Sequence, residues 1–272
     1  VTTDVAIMDK IVEVCTRDWL LDGPEGRGTA RTPIFVVGLP RTGTTLTDRV
    51  LSSHSMVESG GETQLLQMVL RRQSGIDARV DMSPEIIEAA ARVAPELIAA
   101  AYVEAMSHRL GEKPFFVEKL PENVLYLGFI AKSWPDSRII HMRRHPMDAC
   151  FATYKQSYFR FAYSLDDLAD YYLAYDRLSR HWRQTLGDRM VEVEYENLVS
   201  EPERETRRML DLLGLPFEEA CLEFDRNAAP IATASSVQVR EKMHRRSIGK
   251  WKKFERHLQP LHDRLKHGGV AI

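Results

Sequence analysis

Two glycines five residues apart, with an arginine between them and two threonines just after, set the chemistry to look for. In Pro33–Leu51, PIFVVGLPRTGTTLTDRVL, Gly38 and Gly43 bracket Leu39, Pro40, Arg41 and Thr42, and Thr44 and Thr45 follow. Glycines let backbone approach an anion, and a helix N-terminus aims free N–H groups and the positive end of its dipole at it. The ATP/GTP loop reads G-x-x-x-x-G-K-[ST]. Here Thr44 stands where that lysine belongs, and Arg41 supplies a charge inside the loop instead. Such a loop suits one phosphate with a small second group attached better than the β,γ-phosphates of Mg-ATP. The plainer alternative is an ordinary strand-turn-helix corner with a chance arginine.

Four more places carry chemistry-bearing residues. Glu62 precedes Thr63 at the start of a helical pattern, where it either works as a base or complements the helix dipole. Lys119 leaves the end of the apolar run Pro114–Val117, a place where ligands sit in parallel sheets. Alone it reads as a solvated loop lysine. Arg143 and Arg144 follow Arg138–Met142, RIIHM, and either bind an anion or pair with Asp148 and surface carboxylates. The basic residues Arg240, Lys242, Arg245, Arg246, Lys250, Lys252 and Lys253 bunch near the end of a chain whose net charge is −2. A charge run of this kind is usually a solvated face.

Across these places the chain resembles the sulfotransferases that use 3′-phosphoadenosine 5′-phosphosulfate (PAPS). GLPRTGTT is similar to their 5′-phosphosulfate loop. The wider pattern, from Pro33 to Leu261, looks most like bacterial relatives of tyrosylprotein sulfotransferases, often found behind helical repeats. The resemblance implies transfer of a sulfuryl group from PAPS to a hydroxyl, with no metal. It makes Glu62 the general base, with Lys119 and Arg41 stabilising charge. Gly43, Thr44 and Thr45 then hold the 5′-phosphosulfate, and Arg144 the 3′-phosphate. Ser235 and Lys250 join them, because Ser235, Gln238-Val239 and Lys250-Trp251 reproduce the family's steps in a segment that folds over the nucleotide. Arg240 is a weaker candidate. Tyr195-Glu196-Asn197-Leu198 resembles a family segment that fixes register rather than chemistry.

Three departures stand out. Gln64 replaces an arginine, which removes one reason to expect a tyrosine acceptor. Ala152 replaces a serine eight residues after Arg144, so one phosphate contact is either absent or shifted to Thr153. Thr44 replaces the nucleoside-triphosphate lysine. The competing readings are a P-loop small-molecule kinase and a non-catalytic nucleotide-binding module.

These residues need elements to position them. Strands near residues 34, 115, 139 and 191, alternating with helices, predict a three-layer α/β fold. It is P-loop-like, with a mainly parallel central sheet, helices on both faces and ligand at the strands' C-terminal ends. Met56 and Val57 begin a further short strand. Asp4–Leu21 reads as one amphipathic helix, and the Gly- and Pro-rich Asp22–Thr32 as a loop. Residues 1–32 are thus an N-terminal helix and linker, a join to an upstream region, and residues 33–272 the transferase domain. Ser83–Leu110 predicts two helices split at Pro95, the first capped by Ser83 with Pro84 at its first position. Arg71–Met82 is polar and reads as a mobile loop, and Tyr158–Phe161 as a border of the acceptor site or as core. Ser164 caps a long helix to Trp182, and Gly214 and Pro216 end another from Glu203 to Leu213.

Bulk properties exclude more than they assert. With 272 residues, 44% apolar, the chain suits a globular domain, and its net charge favours neither nucleic acid nor a membrane surface. No apolar run reaches the about 20 residues a membrane span needs. Cys15, Cys150 and Cys221 are three and scattered, so neither a disulfide framework nor zinc is expected, and the compartment reads as reducing, a bacterial cytoplasm. Val1 is not a methionine and no signal peptide follows, as in a piece cut from a longer chain. The acceptor stays open among tyrosine, sugar, lipid and small phenol.

Overall fold

The computed structural model describes residues 1–22, 31–77, 82–156, 158–227 and 242–272. Among these, five strands form one sheet: β1 (Thr32–Gly38), β2 (Val57–Gly61), β3 (Phe115–Lys119), β4 (Arg138–Arg143) and β5 (Met190–Glu194). Their order is β2-β3-β1-β4-β5, and every neighbouring pair is parallel. The α/β expectation is met, and the sheet is parallel throughout rather than mainly so.

The apolar runs follow from burial on both faces. Ile34 and Val36 of β1 point into one core layer with Val117, Ile140 and Val193. Phe35 and Val37 point into the other with Phe116 and Ile139. Helices α1 (Thr2–Val14), α2 (Arg17–Leu21), α3 (Thr44–Ser52), α4 (Leu65–Ser74), α5 (Pro84–Ala90) and α6 (Pro95–Met106) come first in chain order. Then follow α7 (Leu127–Ser133), α8 (Pro146–Tyr154), α9 (Leu165–Leu186), α10 (Tyr195–Ser200), α11 (Pro202–Leu213) and α12 (Glu255–His267). Val50 and Leu51 of α3 and Met209, Leu210 and Leu213 of α11 cover the first layer. Residues of α1, α4, α6, α7 and α9 fill the second, where Tyr102, Trp134 and Trp182 are fully enclosed. None of the helices among the described residues is long and apolar enough to cross a membrane.

Local chemistry sets most boundaries. Ser83 accepts from the Ile86 N–H, with Pro84 opening α5, and Ser164 accepts from the Asp167 N–H to start α9. The single helix expected over Asp4–Leu21 is corrected to two. Thr16 is extended, and its side chain accepts from the Trp19 N–H, so it restarts the chain as a new N-cap. The run after β3 opens as a 3-10 turn, Pro121–Tyr126, with Pro121 at its first position, before α7 begins at Leu127. α12 was not anticipated; it buries Leu258, Leu261 and Leu265 against α9.

Strand register gathers the chemistry at one end. Val36 lies beside Lys119, Gly38 beside Met142, and Gly61 beside Glu118. The chain leaves β1 toward β2 on one side and leaves β4 toward β5 on the other. The two connections part above the β1/β4 boundary, which opens a crevice there.

Candidate functional site

The loop after β1 is built to turn sharply and present N–H groups. At Gly38 a Cβ would lie 2.5 Å from the Met142 carbonyl oxygen, and at Gly43, with φ 102°, it would lie 2.8 Å from the Tyr195 ring. Both positions therefore require glycine. The Thr42 hydroxyl donates to the Leu39 carbonyl at 2.7 Å and closes the turn. Arg41 has φ 69°, and among the described residues no other non-glycine has a positive φ. That strained backbone stands at the centre of the loop. Thr44 and Thr45 are buried in the first turn of α3, whose first N–H groups have no partner within the helix.

One cleft opens on the β4 side of this loop. Arg41, Thr44, Arg144, Lys155, Tyr195 and Lys250 are among its lining residues. Arg144, just beyond β4, donates to the Arg41 carbonyl at 2.8 Å and the Ser247 carbonyl at 2.6 Å. Its guanidinium lies 4.8 Å from the Tyr195 ring centroid, and its buried Nε has no hydrogen-bond partner. The tail is pinned across the opening by Asp148 of α8, which accepts from the Gly249 N–H at 2.5 Å and the Trp251 N–H at 3.3 Å. The Trp251 ring stacks on His145, 5.8 Å between centroids. This clamp places Lys250 at the cleft. Burial lowers the affinity of Lys155 for its proton, and the positive charges of Lys250, Arg41 and Arg144 add to the effect. Arg41 is pushed down chiefly by burial.

A second hollow opens on the β3 side. It is walled by Pro40, Arg41, Thr45, Glu62, Glu122 and Tyr158, so Arg41 and the threonines face both spaces. Lys119, the last residue of β3, is 1% exposed and ion-pairs with Glu62, which follows β2. Beneath it lies Asp48 of α3, buried, accepting from the Ser59 hydroxyl at 3.1 Å. Burial raises the Asp48 carboxyl to about 6 against the opposing pull of Lys119. The Thr63 hydroxyl donates to Glu118 at 2.8 Å and so anchors the backbone beside Glu62. Burial pushes Glu118 to about 7, even though Thr63 and Asn123 hydrogen-bond to it.

The sheet end thus brings together Glu62, Lys119, Arg41, Gly43, Thr44, Thr45, Arg144 and Lys250. Ser235 and Arg240 lie outside the described residues. Thr153 does not take the place of the serine missing at Ala152: its hydroxyl is buried and donates to the Ala149 carbonyl at 2.9 Å, while Ala152 itself lines the cleft. Arg143 pairs with carboxylates, Asp176 and Glu192, and does not line the cleft beside the loop. Sequence reasoning missed Lys155, Tyr195, Asp148 and Glu122 as parts of the site. Tyr195 had been assigned to register alone, yet its ring carries Arg144 and limits residue 43.

A parallel sheet with a glycine-bounded loop at a strand switch point, and cations converging on it, defines an α/β protein whose loop is suited to an anionic ligand. Residues 33–219 match the sulfotransferase family, and the chain belongs to that family. An uncharacterized protein of Aquifex aeolicus is 31% identical over 96% of this chain and 36% of its own length. Protein-tyrosine sulfotransferase 1 of Danio rerio is 25% identical over 71% of this chain and 56% of its own. The chain therefore spans only about a third to a half of these two relatives. Among solved structures, the sulfotransferase domain of the Synechococcus PCC 7002 olefin synthase has a TM-score of 0.60 at 18% identity, covering 92% of this chain and 98% of that one. Mouse sulfotransferase SULT7A1 complexed with PAP has a TM-score of 0.54 at 13% identity, covering 93% and 88%. These likenesses are of fold.

Proposed function

We propose that this chain moves the sulfuryl group of PAPS to a hydroxyl acceptor. One observation carries the reading: a single loop, Pro40–Thr45, is the shared wall between a basic cleft and a hollow that contains Glu62. Donor and acceptor would meet across it.

The donor set fits PAPS by its charge. Arg41, Arg144, Lys155 and Lys250 line the cleft, and its acid, Asp148, is committed to backbone N–H groups. An anion bound there relieves the repulsion that Lys155 feels. PAPS, when bound, supplies a sulfuryl group on a good leaving phosphate. The loop N–H groups with Gly43, Thr44 and Thr45 hold the 5′-phosphosulfate end, and Arg144 and Lys250 hold the 3′-phosphate. Ser235 is proposed for the same end on family resemblance. Glu62 takes the proton of the acceptor hydroxyl as its oxygen bonds to sulfur and the bond from sulfur to the 5′-phosphate oxygen breaks. Lys119 and Arg41 balance the charge that collects on that oxygen, which leaves with adenosine 3′,5′-bisphosphate. Most of the catalysis is then positioning and fixed charge. The acceptor proton needs Glu62 free of Lys119, so the ion pair must loosen as the acceptor arrives.

On this reading residues 33–272 carry the transfer chemistry, and residues 1–32 begin with α1, which packs into the same core. The three cysteines, free and buried, support a reducing compartment such as a bacterial cytoplasm.

Calorimetric titration tests the assignment. Adenosine 3′,5′-bisphosphate should bind well below the dissociation constants of Mg-ATP and 5′-AMP, and Arg144→Ala should remove that preference. Equal or tighter binding of Mg-ATP would overturn it.

A further inference from the structure

The hollow on the β3 side has an acid that the transfer reaction does not use. Glu122 lines it from the 3-10 turn after β3, half-buried, and no cation pairs with its side chain among the described residues. Lys119 is near but already committed to Glu62. Burial first, and then the neighbouring Glu62, raise the Glu122 carboxyl above its ordinary value. Its own backbone N–H and the charge of Lys119 pull the other way without overcoming burial, so a further positive group in the hollow would stabilise the carboxylate.

The opposite wall is aromatic. Tyr158, 57% exposed, lies 4.2 Å from Phe159 between ring centroids. Phe159 leads at 5.4 Å to Phe161, which stacks on buried Tyr171 at 3.6 Å. The ladder anchors an exposed ring at the mouth from within the core. Tyr158 feels the charges of Arg41, Glu122 and Glu62, so its ring stands among the groups of the site rather than away from them. A flat acceptor can lie on such a wall, and an ammonium is attracted both by a ring face and by a carboxylate. The positive side chain in this hollow, Arg41, also faces the donor cleft, where the donor's negative charge would occupy it. What is left over on the acceptor side is negative.

We propose that this hollow selects an aromatic hydroxyl compound carrying an ammonium group, with Glu122 as the specificity-determining residue. The inference rests on the sulfuryl-transfer reading for which end of the acceptor faces Glu62. The hydroxyl points to Glu62 and the loop, the ring lies against Tyr158 and Phe159, and the ammonium meets Glu122.

Three phenols of matched shape and different charge test this: tyramine, para-ethylphenol and para-hydroxyphenylacetate. Each is titrated into the whole chain in the presence of adenosine 3′,5′-bisphosphate, and then used as acceptor with PAPS. Tyramine should bind, and react by kcat/KM, at least about tenfold better than the carboxylate, with the neutral phenol between. Glu122→Gln should shrink that ratio to about threefold or less, and Glu122→Lys should invert it. Equal or better binding of the carboxylate to the unaltered protein overturns the inference, as does no binding of any of the three, or an order that survives both variants. The unaltered order decides the sign even where a variant folds poorly. Titration of the same proteins with adenosine 3′,5′-bisphosphate alone separates the two readings. Loss of bisphosphate binding with the charge order intact sinks the transfer reaction and leaves the hollow's preference standing, and the reverse result does the opposite.

Discussion

The two spaces on either side of the Pro40–Thr45 loop are made differently. The donor cleft is assembled from backbone and from cations on separate elements: a loop, the end of β4, the end of α8 and the C-terminal tail. Its parts are locked to one another, Arg144 to two carbonyls and Asp148 to two N–H groups. The hollow on the other side holds one ion pair, half-exposed Glu62 with buried Lys119, near buried Asp48, and has an aromatic wall and Glu122 in its lining. On the proposed reading, one side suits a fixed anion shape, and the other a proton and a surface. Damage to the first should appear in nucleotide affinity, and damage to the second in turnover.

The sharpest break of that division is Lys119→Met. Loss of charge balance at the leaving oxygen should lower kcat by about 10³-fold, read in a steady-state assay, with bisphosphate affinity changed less than about threefold. A large fall in affinity would instead place Lys119 on the donor side. Glu62→Gln comes next. A general base is worth about 10²-fold or more, so kcat should fall by that much while the bisphosphate titration is unchanged. Unchanged turnover would remove Glu62 from the mechanism. Arg144→Ala should act the other way round, weakening the bisphosphate by about 10- to 100-fold, the range of charge-assisted hydrogen bonds, and leaving acceptor KM nearly as it was.

The smallest effect is one of stability and pH. The Asp48 carboxyl, raised to about 6, holds its proton more tightly in the folded chain than in the unfolded one. Its contribution is therefore complete below about pH 4, where both states are protonated, and is lost as pH rises toward about 6. Asp48→Asn should flatten the fall of melting temperature over that window. Glu118, raised to about 7, has the same sign and leaves a residual slope reaching higher pH. A steeper slope in the variant would mean that Lys119, not burial, dominates Asp48.

Much of the donor side was legible because its signals are local. The glycine spacing of Gly38 and Gly43, the strand before and the helix after are all written within Pro33–Leu51. Arg144 follows a short apolar run, as does Lys119 on the other side of the loop, so their place at strand ends could be read without knowing the neighbours. The strands themselves were readable from apolar runs that both faces bury. Asp148, Tyr195, Lys155 and Glu122 gave no such sign. Each matters through a partner far along the chain or through the lack of one, and a single carboxylate or ring in a helix looks the same whether it holds a tail or faces solvent. The break at Cys15–Thr16 was missed because the apolar spacing of Asp4–Leu21 runs through it, while the cap at Thr16 depends on one hydroxyl. α12 did carry a signal, Leu258, Leu261 and Leu265 at helical spacing, which Pro260 and the basic run obscured.

The Asp148 clamp bears on the order of events during synthesis. β1, its loop, β2, β3 and β4 all precede residue 144, so four of the five strands can pair while the rest is still being made. Gly249 and Trp251 reach Asp148 across 101 and 103 residues, and Ser247 reaches Arg144 across 103. Contacts of that separation form late. A growing chain therefore has its glycine-bounded loop well before residues 247–251 arrive to close the cleft beside it.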